Sequence, residues 1–229
     1  MIDNNTIHTL EELEKQITHD ENVIEIKHLL GKYAMYFNAG DSDGIMGCFS
    51  HENEDAEVIF GHSKIAGRKA LAEYYSVRPK IARLPGTFVT HEINSEVIAI
   101  SKDGKSARII ADASGVKGIA PAGSQVRLLG KYYLDVVKEA GGWKIWHLQW
   151  ILTADADFNY GWLFQNRAYY IEDNYPALSE EPHLNMNAEA VDAYVDYFKP
   201  DEVQILFPEP PQEYETWDGY QATNRTRGY

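Results

Sequence analysis

Residues 87–113 read TFVTHEINSEVIAISKDGKSARIIADA, and this stretch decides the fold. Both of its ends are rich in β-branched and apolar residues, which is typical of strands. The segment between them, Ser101-Lys102-Asp103-Gly104-Lys105, has Asp-Gly at its centre, which is a strong signal for a hairpin turn. A hairpin lays its strands side by side. The sequence therefore predicts an antiparallel pair, with a bend near Asn94.

Two polar residues, His91 and Asp112, fall on neighbouring strands of this predicted hairpin. An imidazole held by a carboxylate is a tuned general base, because the carboxylate fixes the tautomer and stabilises the protonated ring. A satisfied structural His–Asp pair has the same sequence signature. The residues alone favour neither interpretation.

Predicted helices precede the hairpin in the sequence, and long predicted strands follow it. An apolar stripe at three- and four-residue spacing runs from Ile26 to Phe37 and predicts an amphipathic helix. Further elements are expected at 43–49 (helix), 56–60 (strand), 67–78 (helix), 107–117, 125–139 and 143–152 (strands). This order predicts an α+β fold, a cone-shaped α+β barrel in which a curved antiparallel sheet wraps on the N-terminal helices. Residues 1–153 form this domain and residues 154–229 an extension.

Charge and composition limit the possible partners. The chain of 229 residues has a formal net charge of −14, which repels phosphate backbones and argues against nucleic acids and anionic membranes as partners. No apolar run approaches the roughly 18 residues that span a bilayer. The first residues show no signal-peptide pattern, and the single Cys48 lies in an apolar context that predicts an inert core thiol. We expect a cytoplasmic protein.

The C-terminal extension combines acidity with aromatic residues. Residues 153–229 hold 15 acidic and 4 basic residues together with 15 of the 28 aromatic residues. A disordered acidic tail would be poor in aromatics, so we expect this one to be ordered and packed. Residues 188–198 are expected to form a helix. Either the extension covers the mouth of the cone, where Trp162 would line a substrate site, or it contacts a neighbouring subunit.

The chain resembles a known family in the phrase Tyr33-Ala34-x-x-Phe37-Asn38-x-Gly40-Asp41, in Phe49 after a short helix, and in the helix start Gly67-Arg68-x-Ala70-Leu71. These motifs, in this order, resemble the SnoaL-like polyketide cyclase/dehydratase branch of the nuclear-transport-factor-two-like superfamily, which includes scytalone dehydratase and the bile-acid 7α-dehydratases. The resemblance implies a deep pocket, homo-oligomers (dimers or trimers), and acid–base chemistry that uses neither cofactor nor metal.

The same resemblance implies roles for individual residues. His91 matches the catalytic base, Asp112 the residue that orients it, and Tyr33 a tyrosine of the pocket. Asn38 departs from the pattern, because the family commonly has a carboxylate there and an amide cannot take a proton near neutral pH. The other candidates for contact with substrate, besides Asn38, are Tyr132, His147, Trp150, Phe60 and Trp162.

The expected function is that of a cofactor-independent lyase, a dehydratase or a C–C lyase. Its substrate would be small and apolar, with an aromatic, phenolic or polycyclic skeleton. Two alternatives remain open at this point. One is a non-catalytic ligand-binding or assembly module of the same fold, and the other is an isomerase that shifts a proton as ketosteroid isomerase does.

Overall fold

The computed structural model describes residues 4–61, 63–82, 85–119, 124–158, 161, 189–190, 198, 203 and 208–219. In chain order, the elements are α1 (Asn4–Ala39), α2 (Ser42–Cys48), β1 (Glu57–Phe60), β2 (Ser63–Ala66), α3 (Arg68–Tyr75), α4 (Arg78–Ala82), β3 (Thr87–Ile100), β4 (Ser106–Ile119), β5 (Ser124–Glu139), β6 (Gly142–Asp157) and β7 (Glu189–Ala190). None of the helices in these ranges is long and apolar enough to cross a membrane.

Helix α1 is one continuous helix of 36 residues, and it begins well before the predicted apolar stripe. Its second half buries the predicted apolar stripe, including Ile26, Leu30 and Tyr33, against the sheet. The helix ends at Gly40, whose φ of +66° favours glycine. The Asp41 side chain then caps α2 by accepting a hydrogen bond from the Gly44 N–H.

The sheet confirms the predicted α+β fold, although it is mixed and open rather than a closed antiparallel barrel. Its strand order is β3-β4-β5-β6-β1-β2-β7. The long strands β3 to β6 form an antiparallel meander, as expected, whereas β1 lies parallel to β6, with Val58 opposite Leu148. The helices cover one face of this curved sheet, and the main hydrophobic core lies between the helices and the sheet.

The β3–β4 hairpin contains a β-bulge between Asn94 and Val97, close to the predicted bend. On the turn side of the bulge Val97 lies opposite Ile110, and beyond it Asn94 lies opposite Asp112. Strand β3 therefore holds one more residue than β4 across this interval. Ser95, inside the bulge, adopts a φ of +55°. Side chains alternate between the two faces along a strand. One extra residue in β3 therefore moves every side chain beyond the bulge to the opposite face from the one it would occupy without the bulge.

Three local predictions were incomplete or wrong. Residues 67–78 do not form one helix but α3 followed by α4, and the short strand β2 was missed. The helix predicted for 188–198 is contradicted at its start, because Glu189–Ala190 pair with β2 as a strand. Most of the remainder of that segment lies outside the described residues.

Within the extension, residues 214–219 lie against the outer face of the same sheet. The N–H groups of Lys102 and Asp103 donate to the carbonyl oxygens of Tyr214 and Glu215. The Trp217 ring contacts Trp146 at 4.3 Å between ring centroids. This segment therefore covers the convex side of its own domain, on the opposite side of the sheet from the helices.

Candidate functional site

A cluster of aromatic rings surrounds His91 on the inner face of the sheet. The imidazole stacks on Phe37 of α1 at 4.6 Å and on Trp150 of β6 at 5.7 Å between ring centroids. Tyr132 of β5 packs on Trp150 at 4.8 Å. Because three separate elements supply these rings, the orientation of His91 is fixed by tertiary packing rather than by its own strand.

Tyrosine hydroxyl groups lie beside His91 and deeper in the core of the domain. The Tyr132 hydroxyl lies 3.1 Å from His91 Nδ1. Deeper inside, the Tyr33 and Tyr75 hydroxyls lie 3.1 Å apart. The Tyr33 and Tyr132 rings meet edge to face at 6.3 Å between centroids. The result is a buried group of three phenols beside one imidazole, which can donate and accept hydrogen bonds in an otherwise apolar interior.

Asn38 binds the backbone of His91 rather than its ring. The His91 N–H donates to Asn38 Oδ1 at 2.6 Å, and Asn38 Nδ2 donates to the His91 carbonyl oxygen at 2.9 Å. Strand β3 is at the edge of the described sheet, and no described strand pairs with these two backbone groups. The Asn38 amide satisfies both and ties the end of α1 to the strand.

Gly115 makes room for the His91 ring. It lies directly opposite His91 in the β3–β4 register. A Cβ atom at this position would lie 2.4 Å from the Thr90 carbonyl oxygen and 2.9 Å from His91 Cδ2. Only glycine permits this close approach, since the Thr90 carbonyl belongs to the backbone and cannot rotate away.

Burial determines the protonation states in the cluster. Burial, with a smaller effect from the nearby Arg78 charge, lowers the pKa of His91 from 6.5 to about 4. Burial likewise raises the pKa of Tyr33, Tyr75 and Tyr132 well above the ordinary phenol value. At neutral pH the site therefore holds a neutral imidazole and three neutral phenols.

Arg78, at the start of α4, is a cation beside the cluster. Its Cζ lies 3.9 Å from the centroid of the Phe37 ring, and its Nη2 donates to the Phe37 carbonyl oxygen at 3.3 Å. Gly40 permits α4 to approach α1 this closely, since a Cβ there would lie 2.5 Å from the Ala82 Cβ. The guanidinium and the cluster thus share Phe37.

The predicted pairing of His91 with Asp112 is wrong. Asp112 lies opposite Asn94 and Lys131, and its side chain is exposed on the outer face, whereas His91 points inward. The bulge is the physical reason. If the register at Val97 continued without it, His91 would lie opposite Val116 and would share the outer face with Asp112.

His147 also lies away from the cluster. Its Nδ1 is 3.2 Å from Asp135 Oδ2 on the outer face, where both residues are buried. The Trp217 Nε1–H donates to the same Asp135 oxygen at 2.8 Å and covers the pair. The structure therefore does contain a buried His–Asp pair, but it lies under the C-terminal segment rather than at the candidate site.

The remaining predicted residues divide clearly. The structure brings together Tyr33, Asn38, Tyr132 and Trp150 with His91. Phe60 shares the inner face with Trp150 and packs on Tyr74 at 5.7 Å between centroids, next to the cluster. Trp162 lies outside the described residues.

Sequence reasoning missed three residues of the site, namely Phe37 as a ring partner, Tyr75 and Arg78. Phe37 carried a signal in the motif that holds Asn38. Tyr75 and Arg78 carried none, because residues 67–78 were expected to be one helix, which gives no reason to aim either side chain at His91. Cys48 is buried as predicted, and burial raises its pKa to about 11, which suits an inert thiol.

Within the described ranges, no group of three or more His, Cys, Asp or Glu side chains is arranged to hold a metal ion. What the cluster offers is proton transfer, through a neutral imidazole beside neutral phenols.

The SnoaL-like domain model matches residues 21–149, more than half of the chain. No curated protein sequence matches this chain. A candidate scytalone dehydratase from Novosphingobium aromaticivorans is 18% identical, with a TM-score of 0.55 over 62% of this chain and 91% of that one. The hexachlorocyclohexane dehydrochlorinase LinA-type3 from Novosphingobium barchaimii is 10% identical, with a TM-score of 0.52 over 62% and 94%.

A third similar structure is a candidate aromatic ring hydroxylase from Novosphingobium aromaticivorans. It is 20% identical, with a TM-score of 0.51 over 60% of this chain and 93% of that protein. At such identities the likeness concerns the fold alone, and it confirms the fold predicted from the sequence.

Proposed function

The chain belongs to the SnoaL-like domain family, and from that premise we propose that it is a cofactor-independent lyase in which His91 is the general base. One observation carries the proposal. A neutral imidazole is held in a fixed orientation among aromatic rings and phenols on the inner face of the sheet. Its low pKa keeps it unprotonated, and thus able to accept a proton, throughout the neutral range.

The Tyr132 contact accommodates the tautomer that this role requires. In that tautomer His91 Nδ1–H donates to the Tyr132 hydroxyl oxygen, and the Nε2 lone pair remains available to a substrate C–H. Tyr132 then takes the orienting role that the sequence assigned to Asp112. A neutral hydroxyl stabilises the imidazolium less than a carboxylate does, in keeping with the lowered pKa of His91.

The reaction is an elimination of water from a substrate with an acidic C–H next to a carbonyl group or ring. His91 Nε2 takes the proton, the C–H electron pair becomes the new C=C bond, and the C–O bond of the neighbouring hydroxyl breaks. The departing hydroxide leaves as water with the proton that His91 accepted. Tyr33 and Tyr75 supply hydrogen bonds to an oxygen of the substrate.

The substrate class follows from the walls of the site. Phe37, Tyr132 and Trp150 present rings to any molecule that enters. Flat apolar skeletons, aromatic or polycyclic, fit such walls through offset stacking and edge contacts. The names of the similar structures are consistent with eliminations on ring compounds, because they include a candidate scytalone dehydratase and a hexachlorocyclohexane dehydrochlorinase.

Deuterium exchange gives a test that does not require the leaving group to be known. A panel of phenolic and steroid-like β-hydroxy ketones is incubated with the protein in D₂O, and NMR follows the exchange of the acidic C–H while mass spectrometry follows the loss of water. Wild type should catalyse both, and His91→Gln neither. Equal rates for wild type and His91→Gln would contradict the proposal.

The same experiment separates the two alternatives. Exchange without loss of water, accompanied by movement of a double bond, would indicate an isomerase. Binding without exchange would indicate a ligand-binding module. The second alternative has one specific point in its favour, namely Asn38, which stands where the family commonly has a carboxylate and cannot relay a proton.

A further inference from the structure

A part-buried guanidinium group lies beside the His91 cluster, and none of the described residues gives it a carboxylate partner. Phe37 provides both contacts that the structure gives to the Arg78 head group, one from its ring and one from its carbonyl oxygen. Arg78 Nε is buried and has no hydrogen-bond partner. Within the described part of the chain, the ion pairs all involve other residues.

Arg108 and Arg68 of the same domain have more partners for their head groups, although Arg108 Nε is also buried without a hydrogen-bond partner. Arg108, on the outer face, pairs with the Asp218 carboxylate and donates to the Gly219 carbonyl oxygen. Arg68 donates to three backbone carbonyl oxygens, one in the last turn of α2 and two just after that helix. Withdrawing an unpaired charge from water is costly, so a guanidinium placed like that of Arg78 favours an anion as its missing partner.

We propose that Arg78 binds a carboxylate group of the ligand and holds it at the edge of the His91 cluster. The planar fork of N–H donors in arginine matches a carboxylate in shape and charge. The ligand would therefore be an aromatic or polycyclic acid, with its rings among Phe37, Tyr132 and Trp150. That this acid is the substrate rests on the proposed function, whereas the anion site itself does not.

The proposal links ligand binding to the strength of the base. The positive charge of Arg78 is the second cause, after burial, of the lowered pKa of His91. A carboxylate bound to Arg78 cancels most of that charge. Protonation of the imidazole then becomes easier, so His91 becomes a stronger base when an acidic ligand is present.

The test compares carboxylates with their neutral amides. Formate and formamide, acetate and acetamide, and benzoate and benzamide form three matched pairs of increasing size. NMR follows the Arg78 Nε–H resonance, assigned by its loss in Arg78→Gln, and the pKa of the His91 ring. The control is Arg127→Gln, which removes the same charge from an exposed side chain of β5.

Wild type should bind the best carboxylate about tenfold or more tightly than its amide, which is the usual worth of a charge-assisted hydrogen bond. The Arg78 resonance should shift and the pKa of His91 should rise on binding. Arg78→Gln should lose this preference and Arg127→Gln should keep it. No shift of the Arg78 resonance with any carboxylate, or equal affinity for acid and amide, would overturn the proposal.

Two further comparisons keep the outcomes distinct. His91→Gln should retain the preference for carboxylates. If wild type prefers carboxylates but its turnover is unchanged in His91→Gln, the proposed function is refuted and the anion site is not. If Arg78→Gln does not fold, the affinities of wild type for the matched carboxylates and amides and the pKa of the His91 ring decide the matter, since neither measurement needs the assigned Arg78 resonance.

Discussion

The side-chain amide of Asn38 forms two hydrogen bonds to the backbone of His91, one to its N–H and one from its carboxamide N–H to the His91 carbonyl oxygen. It thereby imitates a paired strand at this edge of the described sheet. A carboxylate at position 38 could accept from the N–H but would face the carbonyl with a second oxygen. The change from carboxylate to amide, which at first suggests a loss of function, is what this contact requires.

His91 and Asp112 should behave in opposite ways on substitution. His91→Gln should lower turnover by roughly 10²–10⁴-fold, the usual worth of a positioned general base. Asp112→Asn should leave turnover within about twofold, because that carboxylate lies exposed on the other face of the sheet. Steady-state kinetics on any substrate found in the exchange assay measures both. A large loss in Asp112→Asn would contradict the assignment of Tyr132 as the orienting partner.

Asn38→Asp should destabilise the fold and impair the site, since it replaces a donor with an acceptor opposite the His91 carbonyl. We expect unfolding free energy to fall by about 1–3 kcal/mol in urea titrations, the cost of an unsatisfied partner. Gln125→Glu makes the same amide-to-acid change at an exposed position and should have little effect. Similar losses in the two variants would mean that added charge, rather than the contact with His91, is responsible.

Stability should depend on pH through His91. Its pKa is about 4 in the folded chain and near 6.5 when it is exposed, so between these values the unfolded state binds more protons. This contribution is fully present above pH 6.5 and is lost as the pH falls towards 4, by up to a value on the order of 3 kcal/mol. Denaturant titrations of wild type and His91→Gln across this range measure it as the difference between their slopes. Parallel curves would show that the His91 pKa is not lowered.

Two glycines of β4 provide a matched pair. Gly115→Ala places a Cβ against the Thr90 carbonyl oxygen and the His91 ring and should cost about 1–3 kcal/mol of stability, as overpacking does. Gly118→Ala meets only the Phe88 carbonyl oxygen at 3.7 Å, an ordinary contact, and should be tolerated. Thermal unfolding ranks the two variants. Equal tolerance would show that β3 and β4 can separate at His91 without cost.

The C-terminal segment should depend on Trp217. Trp217→Phe keeps a ring against Trp146 but removes the donor to the buried Asp135 carboxylate, so we expect a loss of about 1–3 kcal/mol and faster proteolysis of residues 208–219. Trp146→Phe is the control, because its Nε1–H donates to an exposed carboxylate, that of Asp55. Equivalent behaviour of the two variants would indicate that the Asp135 contact does not hold the segment.

The sequence predicted much of the fold because its signals there are local. The apolar stripe from Ile26 to Phe37 defines the inner face of α1, and Asp103-Gly104 marks the turn between β3 and β4. Tyr132, a candidate from the sequence, lies on the inner face together with Leu134 and Val136, at alternate positions of the same strand. Each of these features depends on neighbours within a few residues, so a single chain read in order contains them.

The site depended on relations that the sequence does not carry. One extra residue in the bulge near Ser95 determines which face of the sheet carries His91. The sequence of the hairpin predicts a bend there but not the number of residues in the bulge. The partners of His91 lie on α1, β5 and β6. Arg78 lies on α4, which the sequence did not distinguish from α3.

The sequence alone therefore establishes the α+β class, the order of the long elements and several of the residue types at the site. What only the tertiary structure decided is the pairing among them: Asn38 with the His91 backbone, Tyr132 with its ring, and Asp135 with His147 beneath Trp217. The physical reason is that side-chain direction follows a fixed local period, whereas the register between strands is set by packing across the whole sheet.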